Sequence, residues 1–481
     1  KRNVAAVGGL KEWVMTTQRR PHTNDVNSLA IVYMTDANGA AGFCADNQKV
    51  TELLCSGGVD TRVFSYAADN MAKGSPKPVY KYPQVPPLRL ARQSRILTVM
   101  RCDKVDFFQL GKKIDVKNGH RPIVPLDESQ AYLGSLTIAG IHNLVSMDLT
   151  DDGKFLAVSD ASSLYMFSLN FVDGKANNGT DRKLIVPTKV NLPLSASAPS
   201  SSLKFVPDGS RRLICASTTG IVTVLKIEEE EQNANHKVTV EHIFNELVSD
   251  PKMSTYNFPI TEIVFSPDSS FVALGRNTMS TGSINVLSIM LAYKHWYTLP
   301  CIEAPYSCLT FLGGGSIKPS LVVGCSNSSF YVFDVKEKCL SDWSNDLGCP
   351  ANLQLPKELN MQPDGPARLA FNPSSPNKFL MGGQNSFFSV DLDSPLPTRS
   401  RYFPDDHISA RKSRFLSTPS NKRKKPMKDD PECLNLTICL RYSGIIYMDF
   451  LSEDELVVVE QPWLGILSSL PDGLERKRFG A

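Results

Sequence analysis

The stretch Ser202–Ile227, "SLKFVPDGSRRLICASTTGIVTVLKI", decides the fold. An apolar strand runs into Pro207-Asp208-Gly209, a second strand ends in small residues, another turn follows, and a third β-branched strand closes the phrase. Proline presets φ, aspartate bonds back to the backbone and glycine reaches positive φ, which together make a tight turn between paired strands. The phrase recurs as "LVSMDLTDDGKFLAVSDASSLYMFSL" (144–169), "ITEIVFSPDSSFVALGRNTMSTGSINVLSI" (260–289), "SCLTFLGGGSIKPSLVVGCSNSSFYVFDV" (307–335) and "ARLAFNPSSPNKFLMGGQNSFFSVDL" (367–392). Small residues in the second strand, Ala157, Ala216, Ala273, Gly324 and Gly382, would let neighbouring sheets approach near a crowded centre. That is the anatomy of a β-propeller blade.

Weaker copies flank these five. "VNSLAIVYM" with "LLCSGGVDTRVFSYA" forms an earlier blade and "PLRLARQSRILTVMRCDKVDFFQL" the next, while "GIIYMDFLSEDELVVVEQP" supplies two strands and stops. The fold class predicted is all-β: a single WD-repeat-like propeller over residues 1–481, with about eight blades, or seven if one weak copy is misread. Two N-terminal strands, "NVAAVGG" and "EWVMTT" within residues 1–20, are expected to complete the last blade and remove two exposed sheet edges. The turns lie roughly 45 to 60 residues apart, longer than the ~40 to 45 of typical WD repeats. Insertions as surface loops are therefore expected at Asp173–Asn178, at the acidic run Glu228–Glu231 and above all at Thr398–Glu432, beyond which "LNLTICLRY" supplies a fourth strand. Residues 464–481 read as a C-terminal tail. A doubly wound α/β fold would need amphipathic helices between the strands, and the sequence has none.

Composition narrows the function classes. With 42% hydrophobic and 21% charged residues the chain fits a globular protein, and no apolar run approaches the roughly 18 to 20 residues that span a bilayer, so no membrane role is expected. Lys11 and Glu12 interrupt the apolar patch that a secretory leader would need, and the first residue is not Met, which suggests a fragment. The 11 cysteines are an odd number without CxxC pairs. Cys55, Cys215, Cys308 and Cys325 sit in strand-like runs and read as reduced core residues. No His/Cys cluster has zinc-ligand spacing, and no cofactor or metal is expected.

Motifs of catalysis are missing. There is no GxxxxGK[ST], GxSxG or HExxH, and Gly313-Gly314-Gly315 lacks the Lys-Ser/Thr that seats a phosphate; it reads as a hairpin turn. Asp151-Asp152-Gly153 reads as a structural turn rather than a calcium loop. The glycosylation-type triplets at Asn178, Asn327 and Asn435 need a secretory route. His142, Asp148 and His295 are the isolated residues that could join an acid/base site, but polar residues at blade edges usually serve backbone or solvent. The chain is expected not to be an enzyme and to take no small-molecule substrate.

One segment breaks the near-neutrality. Residues 398–432 hold ten Lys/Arg against five Asp/Glu, a net +5, so the remainder carries −2 of the chain's +3. Within it Lys422, Arg423, Lys424, Lys425 and Lys428 are flanked by Pro419, Ser420 and Pro426, which disfavour regular structure and keep the cluster accessible in a disordered loop. Three readings stay open: a nuclear-import signal at Lys422–Lys425, a contact to an RNA backbone, and a solvated loop.

Both ends of the chain carry a resemblance. "EWVMTTQRRPHTNDVNSL", at Trp13, His22-Thr23, Asp25-Val26 and Leu29, and "ELVVVEQPWLGILSSLPDGLERKRFGA", at Val457–Glu460, Pro462-Trp463, Leu470-Pro471 and Arg476–Gly480, resemble the C-terminal half of the cirhin family of tandem WD-repeat proteins. Gln461 stands where that family typically has Arg, the Trp-Asp dipeptide is absent, and the family's first propeller has no counterpart here. The resemblance implies a non-enzymatic subunit of the t-UTP (UtpA) assembly of the small-subunit processome, in the nucleus and nucleolus. Its implied partners are the other WD-repeat subunits and the leading external spacer of pre-ribosomal RNA, met directly or through the complex. It also implies small-subunit rRNA processing linked to ribosomal-DNA transcription. Arg476, Lys477, Arg478 and Phe479 form a basic tail that could enter a partner or RNA groove. A propeller adaptor of another nuclear complex is the alternative, and a propeller enzyme a further one.

Overall fold

The computed structural model of the chain describes residues 21–22, 25–35, 50–58, 63–67, 76–79, 86–113, 130–140, 142–175, 181–229, 236–244, 259–277, 282–300, 302, 304–313, 318–326, 329–346, 366–372, 374–383, 386–393, 436–439, 442 and 444–461. The chain divides into two compact units, Lys1–Tyr82 and Pro83–Ala481. The smaller unit holds one antiparallel sheet of four strands, Val26–Thr35, Val50–Gly58, Val63–Ala67 and Lys77–Val79, in sequence order. His22 is buried on this sheet: its Nε2 lies 2.8 Å from Ser56 Oγ, and its ring meets Phe64 edge-on at 4.8 Å.

The larger unit is a WD-repeat-like β-propeller. Its blades, numbered 1 to 7 here, begin with the strands Leu88–Ala91, Leu144–Leu149, Ser200–Phe205, Ile260–Phe265, Tyr306–Leu312, Arg368–Phe371 and Ile445–Ser452. Blades 1 to 6 are four-stranded antiparallel meanders; blade 7 shows two strands among the described residues, Ile445–Ser452 and Glu455–Glu460. Seven blades is the lower of the two counts the repeats allow, and the sheet of the smaller unit is the further blade read from the sequence. The closing strands expected within residues 1–20 lie outside the described residues. Among the described residues, helix is confined to the single turns Asp342–Asp346 and Leu194–Ala196.

Among the described residues of the larger unit the core is not one mass but seven clusters, each filling the junction between two consecutive blades. Leu203, Leu213 and Leu225 of blade 3 meet Phe155 and Met166 of blade 2, and the series runs on to Leu88 and Leu97 of blade 1, which meet Tyr447 and Leu451 of blade 7. The last junction completes the circuit, tied by Arg95 to Glu455 at 2.7 Å and Arg92 to Asp449 at 3.0 Å. Each strand alternates between the two flanking junctions, which is why the repeat phrases are apolar on both faces rather than on one.

Turn chemistry follows the sequence. Gly153 and Gly209 adopt φ of 75° and 74°, Asp152 Oδ1 accepts from Lys154 N at 3.0 Å, and Asp208 Oδ1 from Ser210 N at 2.7 Å. Cys215, Cys308 and Cys325 are buried free thiols as read, whereas Cys55 is half-buried. Two insertions differ from expectation. The third and fourth strands of blade 2 pair as far as Lys175 with Asp181, so Asp173, Gly174 and Lys175 extend a hairpin, and the third strand of blade 3 pairs through Glu229 with His236. β-Branched neighbours such as Val172, Ile185 and Val238 carry the ladder past the polar residues.

Candidate functional site

The axis of the larger unit is where the first strands of all blades converge. Aligned on their turns, these strands place Arg89, Asp148, Lys204, Val264, Thr310, Ala370 and Asp449 at one register, with Glu262 and Arg368 two residues earlier in blades 4 and 6. Asp148 is the centre of the belt: its side chain is 2% exposed, and one oxygen receives Arg89 Nε at 3.1 Å and Lys204 Nζ at 3.2 Å. Its other oxygen accepts from Phe205 N at 2.7 Å. Arg368 donates from Nε to the Ile446 carbonyl of blade 7 at 2.8 Å. Asp449 takes Arg92 at 3.0 Å and the Tyr447 hydroxyl at 3.3 Å.

Burial dominates the electrostatics. It pushes the Glu262 carboxyl up to about 7, against the hydrogen bond from Leu309 and the pull of Arg89, Arg368 and Lys204. Burial also lowers Arg368, opposed by Cys308 and Glu262, and raises Asp151, opposed by Arg92 and Lys204. Arg92 is raised chiefly by Asp449. Beside Glu262 the Cys308 thiol is held protonated by burial, the reverse of an activated nucleophile.

A second, smaller device recurs above the belt. Ser146 Oγ donates to the Ser200 carbonyl at 2.7 Å, Ser201 Oγ to Ile260 at 2.8 Å, and Ser307 Oγ to Pro366, each reaching from one blade to the next. These hydroxyl latches and the belt escaped the sequence reading, although the aligned phrases carry Ser201, Thr261 and Ser307 in one column. Of the isolated candidates, Asp148 lies in the belt, while His142 and His295 are exposed elsewhere and His295 Nε2 bonds Thr298 Oγ1 at 2.8 Å. The three are not brought together.

Lys422, Arg423, Lys424, Lys425, Lys428, Arg476, Lys477, Arg478 and Phe479 lie outside the described residues. The anchor of the basic insertion is described. Strands Phe387–Asp391 and Leu436–Cys439 pair from Phe387 with Cys439 to Val390 with Leu436, so residues 392–435 join the third and fourth strands of blade 6 as the sequence predicts. Its base is fastened: Leu392 N donates to Asn377 O at 2.8 Å, Asn377 Nδ2 to Asp393 Oδ1 at 2.7 Å, and Lys378 pairs with Asp391 at 2.9 Å. The insertion thus departs beside the first turn of blade 6, whose Asn372 donates to Glu453 O in the corresponding turn of blade 7 at 2.8 Å.

The chain is similar to U3 small nucleolar RNA-associated protein 4. The Schizosaccharomyces pombe protein of that name is 21% identical over 494 residues, covering 98% of this chain and 61% of that protein. The homologues of Mus musculus and Homo sapiens are each 22% identical over 476 residues, covering 98% of this chain and 60% of theirs. The chain therefore spans about three fifths of the length of these relatives. No family model matches. Among solved structures, Kuenenia stuttgartiensis hydrazine synthase aligns with a TM-score of 0.42 and 12% identity over 80% of this chain and 97% of that one, a likeness on which nothing is built.

Proposed function

We propose that the chain is a non-enzymatic scaffold of ribosome biogenesis, a subunit of a t-UTP (UtpA)-type assembly of the small-subunit processome. One observation carries the proposal: the similarity to U3 small nucleolar RNA-associated protein 4 extends over 98% of the chain rather than over one repeat phrase, as generic blade likeness would give. A rigid propeller suits the role, because its rims order few residues on binding each partner. The basic insertion, anchored between the third and fourth strands of blade 6, adds a polyanion-seeking segment, and the axial belt pairs its charges without an activated nucleophile among the described residues. In this role the chain works in the nucleolus with other WD-repeat subunits on nascent pre-ribosomal RNA and its leading external spacer.

The test is purification of the tagged chain from nuclear extract, followed by mass spectrometry and sequencing of crosslinked RNA. Enrichment of pre-ribosomal RNA and processome proteins is expected. Recovery of a different nuclear complex without ribosomal precursors would overturn the proposal.

A further inference from the structure

The second strand of blade 7, Glu455–Glu460, is half-buried or exposed along its whole length, whereas Phe155–Asp160, Arg212–Ser217, Phe271–Asn277 and Ser320–Cys325, its counterparts in blades 2 to 5, are mostly buried. The difference lies on its outer side. In blades 1 to 6 a third strand pairs with the second, but among the described residues Glu455–Glu460 has only Ile445–Ser452 beside it. Leu456 and Val458 face blade 6, and Val457 and Val459 face blade 1. A strand apolar on both faces and open along one edge is a template for a further strand, because its outward N–H and C=O groups await partners.

Residues 462–481, "PWLGILSSLPDGLERKRFGA", follow that edge directly and lie outside the described residues. Their sequence matches what the edge lacks. Pro462 cannot donate to the ladder and ends the second strand. Leu464–Leu470, "LGILSSL", resembles the third strand of blade 4, Gly282–Ser288, "GSINVLS", in length and in its mixture of apolar and small residues. Pro471-Asp472-Gly473 repeats Pro207-Asp208-Gly209, which makes the first turn of blade 3 with Gly209 at φ 74°. Leu474–Phe479, "LERKRF", carries charge as the partly exposed fourth strands "HKVTVEHIF" and "KHWYT" of blades 3 and 4 do, and such cations deter further pairing at an outer edge. Leu464 to Phe479 is one residue shorter than Gly282 to Thr298, which holds both outer strands of blade 4.

We infer that residues 464–470 and 474–479 are the third and fourth strands of blade 7, pairing outward from Glu455–Glu460. They take the place expected for the strands within residues 1–20. Arg476, Lys477 and Arg478 then stand on a fixed perimeter strand rather than a free tail, with Arg476 and Arg478 on one face and Lys477 on the other. The inference does not depend on the proposed function.

Hydrogen exchange of the full chain, read by mass spectrometry, tests it. Peptides covering 455–460, 464–470 and 474–479 are expected to exchange slowly, as paired strands do. Deleting residues 464–481 should speed exchange over 455–460 about 5- to 30-fold, the equivalent of a hydrogen bond or two, while deleting residues 1–20 should leave it as in the parent. Ile466→Pro is the milder variant, taking one amide from the third strand; it should speed exchange over 464–470 and 455–460 while Arg212–Ser217 of blade 3 stays protected. Exchange over 464–479 at the rate of an unstructured peptide in the parent would overturn the inference. So would slow exchange over 455–460 that survives the C-terminal deletion, or that is lost only on the N-terminal one.

Discussion

Ser201 Oγ of blade 3 donates to the carbonyl of Ile260 in blade 4 at 2.8 Å, across 59 residues of sequence. The same hydroxyl also reaches the Ala216 carbonyl of its own blade at 3.1 Å, so one side chain pins the first and second strands of blade 3 to the start of the next blade. Ser201→Ala should cost about 1 kcal/mol, the net worth of a partly buried hydrogen bond, and Ser307→Ala a similar amount. Urea unfolding of the two single variants and the double variant checks this. The latches lie in different junctions, so their effects should add; no change in midpoint for either would deny the latch any role in stability.

Gly324 faces Cys308 across the first two strands of blade 5. A Cβ on Gly324 would lie 2.7 Å from Cys308 Sγ and 3.2 Å from Pro366 Cγ. Gly324→Ala is therefore expected to destabilise by about 1 to 3 kcal/mol through overpacking. The clash is specific, so the cost should shrink when Cys308→Ala removes the sulfur. A double-mutant cycle in thermal unfolding reads that coupling, and strictly additive losses would show that the glycine serves something other than close approach.

Much of the fold was legible because a blade is a local object. Turns such as Pro207-Asp208-Gly209, and strands apolar on both faces, lie within one 26-residue phrase, and the fourth strand of blade 6 was found even beyond the long insertion. The belt was not legible in the same way. Arg89, Asp148 and Glu262 meet only because three blades surround one axis, and nothing local in "PLRLARQ" or "ITEIVF" marks a charge as axial rather than solvated. The pairing of Arg95 with Glu455, 360 residues apart, is the extreme case. Insertion limits failed for a different reason: polar residues at Asp173 and Glu229 continue a ladder whose partners decide the pairing.

Glu262 gives stability a pH dependence with a definite sign. Its carboxyl is raised from 4.5 to about 7 in the folded chain, first by burial. The folded state thus binds the proton more tightly than the unfolded state does. The stabilisation is complete below about pH 4.5 and is lost progressively as pH rises through about 7, by at most about 3 kcal/mol. Glu262→Gln keeps the shape and removes the titration, so its stability should change less than the parent's between pH 5 and 8. Arg89 of blade 1, Lys204 of blade 3, Cys308 of blade 5 and Arg368 of blade 6 surround the group and are unchanged in the variant. Parallel pH profiles for parent and variant would place the titration elsewhere.

The basic insertion offers the sharpest test of how the chain meets RNA or the nucleus. Its ends are clamped at Asp391 and Leu436 on blade 6, so replacing Lys422, Arg423, Lys424, Lys425 and Lys428 by Ala should leave the propeller's melting temperature unchanged. If all five side chains contact single-stranded RNA phosphates, the slope of log affinity against log salt should flatten by at most about 3.5, from about 0.7 per contact. If Lys422–Lys425 form an import signal, a fluorescent fusion should instead lose nuclear accumulation while its RNA salt slope stays the same. The two outcomes are separable because import reads a short basic peptide, whereas counterion release counts neutralised phosphates wherever they lie. Salt-series RNA binding and reporter imaging on the same five-residue variant therefore discriminate among all three readings. A variant that moves neither quantity, with the melting curve unchanged, reduces the stretch to a solvated loop.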